Sequence, residues 1–158
     1  AIARDAGQPD LRARILLERG KVFSKVNIEE NIKTLDKAWQ YAQKAKNSPL
    51  VSEIAEVWFS LEPRKGLEVL GQVESKEIRI KGLRQMARKI ASLNQEEAKA
   101  LLEQATQEAL GMDGLKEKVG HLREIARDWM RMDRERASAV YLKAYHLMEK
   151  AELSSPKF

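Results

Sequence analysis

Two stretches decide how this chain is read: LRQMARKIASLNQEEAKALLEQA, residues 83–105, and LREIARDWMRMDRERASAVYLKA, residues 122–144. Aligned on Ala87 and Ala126, they carry Leu83 and Leu122 four positions before, and Ile90 and Trp129 three after. Leu93 and Met132 come six after, and the capping residues Asn94 and Asp133 seven after. Ala98 and Ala137 stand at plus eleven, Leu102 and Tyr141 at plus fifteen, and Ala105 and Ala144 at plus eighteen. Apolar residues three and four apart mark one face of a helix, and a capping residue between two such series marks a restart. Each stretch therefore reads as helix, tight turn, helix. The same series recurs at Gly20, with Leu16, Phe23, Val26, Asn27, Asn31, Leu35 and Ala38. It recurs again at Ala55, with Val51, Trp58, Leu61, Glu62, Gly66, Leu70 and Val73. These anchors lie 35, 32 and 39 residues apart, a degenerate repeat present four times.

In each repeat a first helix, A, ends near Val26, Leu61, Leu93 or Met132, and a second, B, starts at the capping residue. Asn27 with Glu30 and Asn94 with Glu97 resemble capping boxes, and Pro63 opens its helix directly after Glu62. The small anchor on A and the small residue on B allow close approach, and large residues at plus three and plus fifteen fill the groove. Boundaries between repeats carry looser sequence: Asn47-Ser48-Pro49, Glu74-Ser75 and Gly111-Met112-Asp113-Gly114.

The rest of the chain agrees. It has 158 residues, 43% hydrophobic and 34% charged, with only eight glycines and four prolines. That is enough for a sizeable core and fits neither a disordered tail nor a membrane span. No stretch of alternating β-branched residues argues for a strand. Without cysteine, disulfides and thiolate chemistry are excluded. The expectation is an all-α protein, a right-handed αα-superhelix of about four helix-turn-helix repeats. One domain would span 1–158, with repeats near 10–47, 48–75, 76–111 and 112–152. Ala1–Gly7 reads as the tail of a B helix whose own A helix is missing, so the chain is expected to be a fragment of a longer array or a processed product. A frayed capping turn is the alternative.

The series resembles the tetratricopeptide repeat, which sets a leucine or aromatic, leucine-glycine and tyrosine on helix A, and alanine, an aromatic and alanine on helix B. Leu122, Ile125-Ala126, Trp129, Ala137, Tyr141 and Ala144 fit it, as do Leu83, Met86-Ala87, Ile90, Ala98, Leu102 and Ala105. The resemblance covers roughly residues 10–152 and implies a solenoid that binds proteins on its concave face. The turn here is one residue shorter than in that family, the period varies and the closing proline is absent. A HEAT-like or other right-handed αα-solenoid is the alternative.

Catalytic signals are weak. Neither His121 nor His146 has a His, Asp or Glu at metal-ligand spacing in a recognised pattern, and His146 reads as a surface or partly packed residue. No phosphate-cradling glycine loop and no nucleophile elbow is present. Glu29-Glu30 and Glu96-Glu97 fall in the first turn of a B helix, where negative charge favours the helix dipole. Trp58 and Trp129 read as core, whereas Trp39 and Tyr41 read as either convex surface or packing beneath the next repeat. The expectation is a non-enzyme without cofactor or metal.

One surface pattern remains, and it is basic. In stacked pairs of this kind, positions minus six, minus three, plus one and plus five from the anchor point into the concave face. They are Lys81, Arg84, Arg88 and Ser92 in the third repeat, and Gly120, Arg123, Arg127 and Arg131 in the fourth. The first two repeats place Arg14, Leu17, Lys21 and Lys25, then Pro49, Ser52, Glu56 and Ser60 there. Lys81, Arg84, Arg88, Arg123, Arg127 and Arg131, with Phe59 and Met130 as apolar neighbours, are therefore the expected partner contacts. Guanidinium groups take carboxylates by paired hydrogen bonds, and a focused positive field speeds association. The family's carboxylate-clamping members bind acidic tails in a similar place, but their accompanying asparagine is missing here. The alternative is a solvated face, partly neutralised by Glu124 and Asp128 three residues before Arg127 and Arg131, or one that pairs with a neighbouring subunit or a missing repeat. The functional expectation is a scaffold module for a protein or acidic peptide. RNA binding through the same basic surface and self-assembly are the other readings. No membrane partner is expected, and a cytoplasmic location is favoured.

Overall fold

A computed structural model describes residues 8–23 and 27–155, excepting the side chains of Val22 and Phe23. The described residues form eight α-helices and no strand. They are α1 (Pro9–Phe23), α2 (Ile28–Lys44), α3 (Ser48–Leu61), α4 (Pro63–Gly71), α5 (Lys76–Ile90), α6 (Gln95–Leu110), α7 (Leu115–Trp129) and α8 (Arg134–Ser154). Two of them fall in each of the sequence segments near 10–47, 48–75, 76–111 and 112–152. Ala1–Gly7, read above as a truncated B helix, lies outside the described residues, as does Val26.

Capping sets where the B helices start. The side chains of Asn27, Asn94 and Asp133, each on extended backbone, accept from the amides of Glu30, Glu97 and Arg136 at 3.2, 3.1 and 2.9 Å. Such a cap contributes about 1 kcal/mol. Glu62 makes no side-chain cap bond, and there the helix starts on Pro63. Helices α5 and α7 stop at Ile90 and Trp129, three residues before Leu93 and Met132. The reason is the turn: Ile90 O accepts from the amides of both Leu93 and Asn94, which turns Leu93 out into solvent.

The chain divides into two compact units, Ala1–Gly82 and Leu83–Phe158, with the boundary inside α5. In the first, α1 packs on α2, α3 on α4, α2 on α3, and α1 on α3. In the second, α6 packs on α7 and α7 on α8. Anchor residues Ala55, Ala87 and Ala126 and their partners at plus eleven are buried. Close approach is tightest at Gly66, where a built Cβ would lie 2.5 Å from the Phe59 backbone. At Gly20 it would lie 3.0 Å from Asn31 Oδ1. Any side chain larger than hydrogen at Gly66 would push α4 off α3. Lys46 ends α2 at φ 50°, the left-handed region usually given to glycine. Its amide bonds Gln43 O while the Asn47 amide bonds Ala42 O.

Candidate functional site

The expected basic residues fall into three environments. Lys81 lies in the first unit and pairs with Glu77 at 3.0 Å, one turn away on the same helix. Arg84 is buried, against the expectation that it faces an open groove. Its Nε donates to Asp128 Oδ2 at 2.6 Å and its Nη1 to Glu124. Arg88 donates through Nε and Nη2 to Asp128 Oδ1, at 2.8 and 2.7 Å. Asp128 is only 4% exposed in its side chain, so one buried carboxylate on α7 takes two guanidinium groups from α5.

In the alternative reading Glu124 and Asp128 partly neutralise Arg127 and Arg131; in the structure both acids pair with arginines of α5 instead. At i+3 on a helix, two exposed side chains meet in water, where an ion pair contributes little. Reaching across to α5, Asp128 meets Arg84 and Arg88 in a desolvated contact, where its charge must be compensated, while Glu124, nearly half exposed, meets Arg84. Arg123, Arg127 and Arg131 are consequently exposed and form no ion pair with a described residue. Helix α7 ends at Trp129, so Arg131 belongs to the turn that follows and does not continue the stripe of Arg123 and Arg127.

That turn places Arg131 at a cleft of about 250 Å³, lined also by Arg88, Ser92, Gln95, Asp128 and Met132. Arg88 is 47% exposed in its side chain, so its outer edge remains open to solvent while its inner edge holds Asp128. With Asp128 already shared by two arginines, the cleft offers donors to an anion. The expected apolar neighbours separate: Met130 is exposed, but Phe59 is buried in the first unit, against Gly66.

Other singled-out residues take structural positions. Trp58 and Trp129 are buried, and the Trp129 indole donates to Thr106 Oγ1 at 3.5 Å. Trp39 is half-buried, with Lys65 Nζ of α4 4.8 Å from its ring centroid. Tyr41 lies between Arg12 and Lys44, 5.7 and 5.8 Å from its ring centroid. His121 is buried and His146 exposed, its ring 6.0 Å from that of Tyr145. Among the described residues, no group of three His, Cys, Asp or Glu side chains is placed to hold a metal ion, and no helix is long and apolar enough to cross a membrane. Lysine 21, on α1, is held above its ordinary pKa by its hydrogen bond to Glu18 and the further charge of Glu53.

Sequence reasoning missed two things: the inward turn of Arg84 and the cleft at Arg131. Position minus three is buried in repeats one to three, as Leu17, Ser52 and Arg84, and exposed only as Arg123. Leu17 was the available signal, since an aliphatic side chain at that position argues for a covered contact.

Compared with known proteins, the chain matches no family model, no curated protein and no solved structure.

Proposed function

We propose that this chain is a non-catalytic interaction module that holds an acidic segment of a protein partner on Arg123, Arg127 and Arg131. Four tetratricopeptide-like helical pairs, stacked as an αα-solenoid, form its frame. The observation that carries the ligand class is the charge arithmetic of α7. Asp128 is taken by Arg84 and Arg88 and Glu124 by Arg84, which leaves Arg123 and Arg127 on the helix and Arg131 in the turn after it without an ion pair among the described residues, and Arg131 lines an open cleft. Carboxylates suit them, because a guanidinium donates two parallel bonds to a carboxylate.

The solenoid reading is supported by contacts that recur at matching positions. A-type helices meet the next A-type helix in both units, α1 on α3 and α5 through Arg84 on α7. B-type helices meet the following A helix, α2 on α3 and α6 on α7. The right hand of the superhelix follows from the resemblance to the tetratricopeptide repeat.

Fluorescence anisotropy with a labelled Glu/Asp-rich peptide tests the ligand class, with its Gln/Asn counterpart as control. Arg127→Glu with Arg131→Glu should weaken the acidic peptide by about ten-fold or more and leave the circular dichroism unchanged. Equal binding of the neutral peptide, or of the double variant, removes the assignment. Competition by a homopolymeric RNA with a steep salt dependence would instead assign the surface to nucleic acid.

A further inference from the structure

We infer that the cleft beside Arg131 takes a phosphoryl group, carried by a phosphorylated serine or threonine of the acidic segment. The inference deepens the reading above and rests on it for the segment that brings the group.

The cleft lies within the second unit, between two helical pairs and not at either end of the chain. One side is Arg88 of α5 with Ser92 in the following turn and Gln95 at the start of α6. The other is Asp128 of α7 with Arg131 in the turn into α8.

Its polar lining is rich in donors. Ser92, Gln95 and Arg131 are exposed, and their side chains bond no other described residue. Arg88 uses Nε and Nη2 on Asp128, which leaves its Nη1 without a partner among the described residues. Asp128 is the one acid in the lining, and it presents little negative charge to an incoming group. Its side chain is 4% exposed, and each of its oxygens already accepts from a guanidinium. Asp128 is therefore a positioning residue, holding Arg88 in place while the outer edge of that guanidinium stays open.

Helix packing alone does not call for this set. Where α1 packs on α3 in the first unit, the positions of Asp128 and Arg131 are filled by Val57 and Ser60. The Ser60 hydroxyl donates to Glu56 O on its own helix. An A helix thus meets the next without a buried acid or a second arginine, and the cleft of the second unit carries both in addition.

The donor set selects among anions. A carboxylate has two oxygens in one plane and a single charge, and one guanidinium fork satisfies it. That would leave the second arginine, the hydroxyl and the carboxamide idle. A phosphate monoester presents three oxygens in a tetrahedral array and carries about −1.5 to −2 at neutral pH. It accepts from several directions at once, and paired arginines are the usual means of holding it. Two guanidinium groups with a hydroxyl and a carboxamide, drawn from both sides of one cleft, match that acceptor.

Fluorescence anisotropy with three labelled peptides tests this on the 158-residue chain. One is Glu/Asp-rich with a central serine, the second carries phosphoserine there, and the third replaces the phosphoserine by two glutamates to match its charge. Phosphorylation should tighten binding about ten-fold over the first peptide, and the glutamate pair should recover little of that gain. Ser92→Ala with Gln95→Ala should remove most of the gain and leave the unphosphorylated peptide unchanged. Arg88→Lys, which keeps a cation beside Asp128 but loses the outer edge, should do the same with unchanged circular dichroism. Equal binding of the phosphoserine and glutamate-pair peptides overturns the inference, as does a gain that survives these variants. Inorganic phosphate that competes at the concentration of the phosphopeptide would assign the cleft to the free ion, and a homopolymeric RNA that does so would assign it to nucleic acid; either result also overturns the inference. Binding of the unphosphorylated peptide reports the acidic-segment reading by itself, so the two can fail separately.

Discussion

Consecutive A helices meet through charged side chains at two places, and the two contacts differ in how far they are buried. In the first unit, α1 reaches α3 through Lys21 and Glu53, 3.6 Å apart and each nearly half exposed. In the second, α5 reaches α7 through Arg84 and Arg88, which share the buried Asp128. The first is an ion pair in water, screened by salt and of small consequence. The second is a desolvated network in which removing one partner strands the charge of the others. Both set a base of one helix against an acid of the next; burial sets the magnitude.

Removing the shared carboxylate is the most direct way to break the comparison. Asp128→Ala should cost about 3–5 kcal/mol in urea denaturation, whereas Glu53→Gln should cost under about 0.5 kcal/mol. Equal and small losses would mean that the α5–α7 network is solvated. Helix approach gives the next largest contrast. Gly66→Ala forces a Cβ onto the Phe59 backbone and should cost about 1–3 kcal/mol. Gly120→Ala, on the exposed side of α7 with nothing within 4 Å, should stabilise by about 0.5–1 kcal/mol, and paired melting curves read both.

The smallest effect belongs to Lys21. Its folded pKa lies above the ordinary 10.5, so its contribution is complete below that value and fades as pH rises through the raised one. An NMR titration of the Lys21 side chain should show the shift shrink more with Glu18→Gln than with Glu53→Gln, since the Glu18 hydrogen bond is its largest cause. The reverse order would make the contact with α3 the stronger of the two.

How far the sequence could be read differs between fold and site. Helix starts were legible because a cap is local: Asn27, Asn94 and Asp133 each bond an amide three residues on. The core face was legible because the residues at plus eleven, fifteen and eighteen lie on one side of a helix. The site was legible only as a charge type. Arg84 and Arg123 occupy the same repeat position with the same side chain, yet one is buried against two acids and the other is open.

By itself, then, the amino-acid sequence determined the helices of the described residues and the small residues that let paired helices close up, because those depend on contacts within one turn or one hairpin. Only the tertiary structure decided which arginines are free. A residue's charge is written in its side chain, but the acid that compensates it is chosen by which helix face lies opposite. Glu124 and Asp128 are three residues from Arg127 and Arg131 along the chain, and 40 or more from the arginines they bond. Burial of Asp128 between α5 and α7 makes the distant pairing the one whose loss is costly.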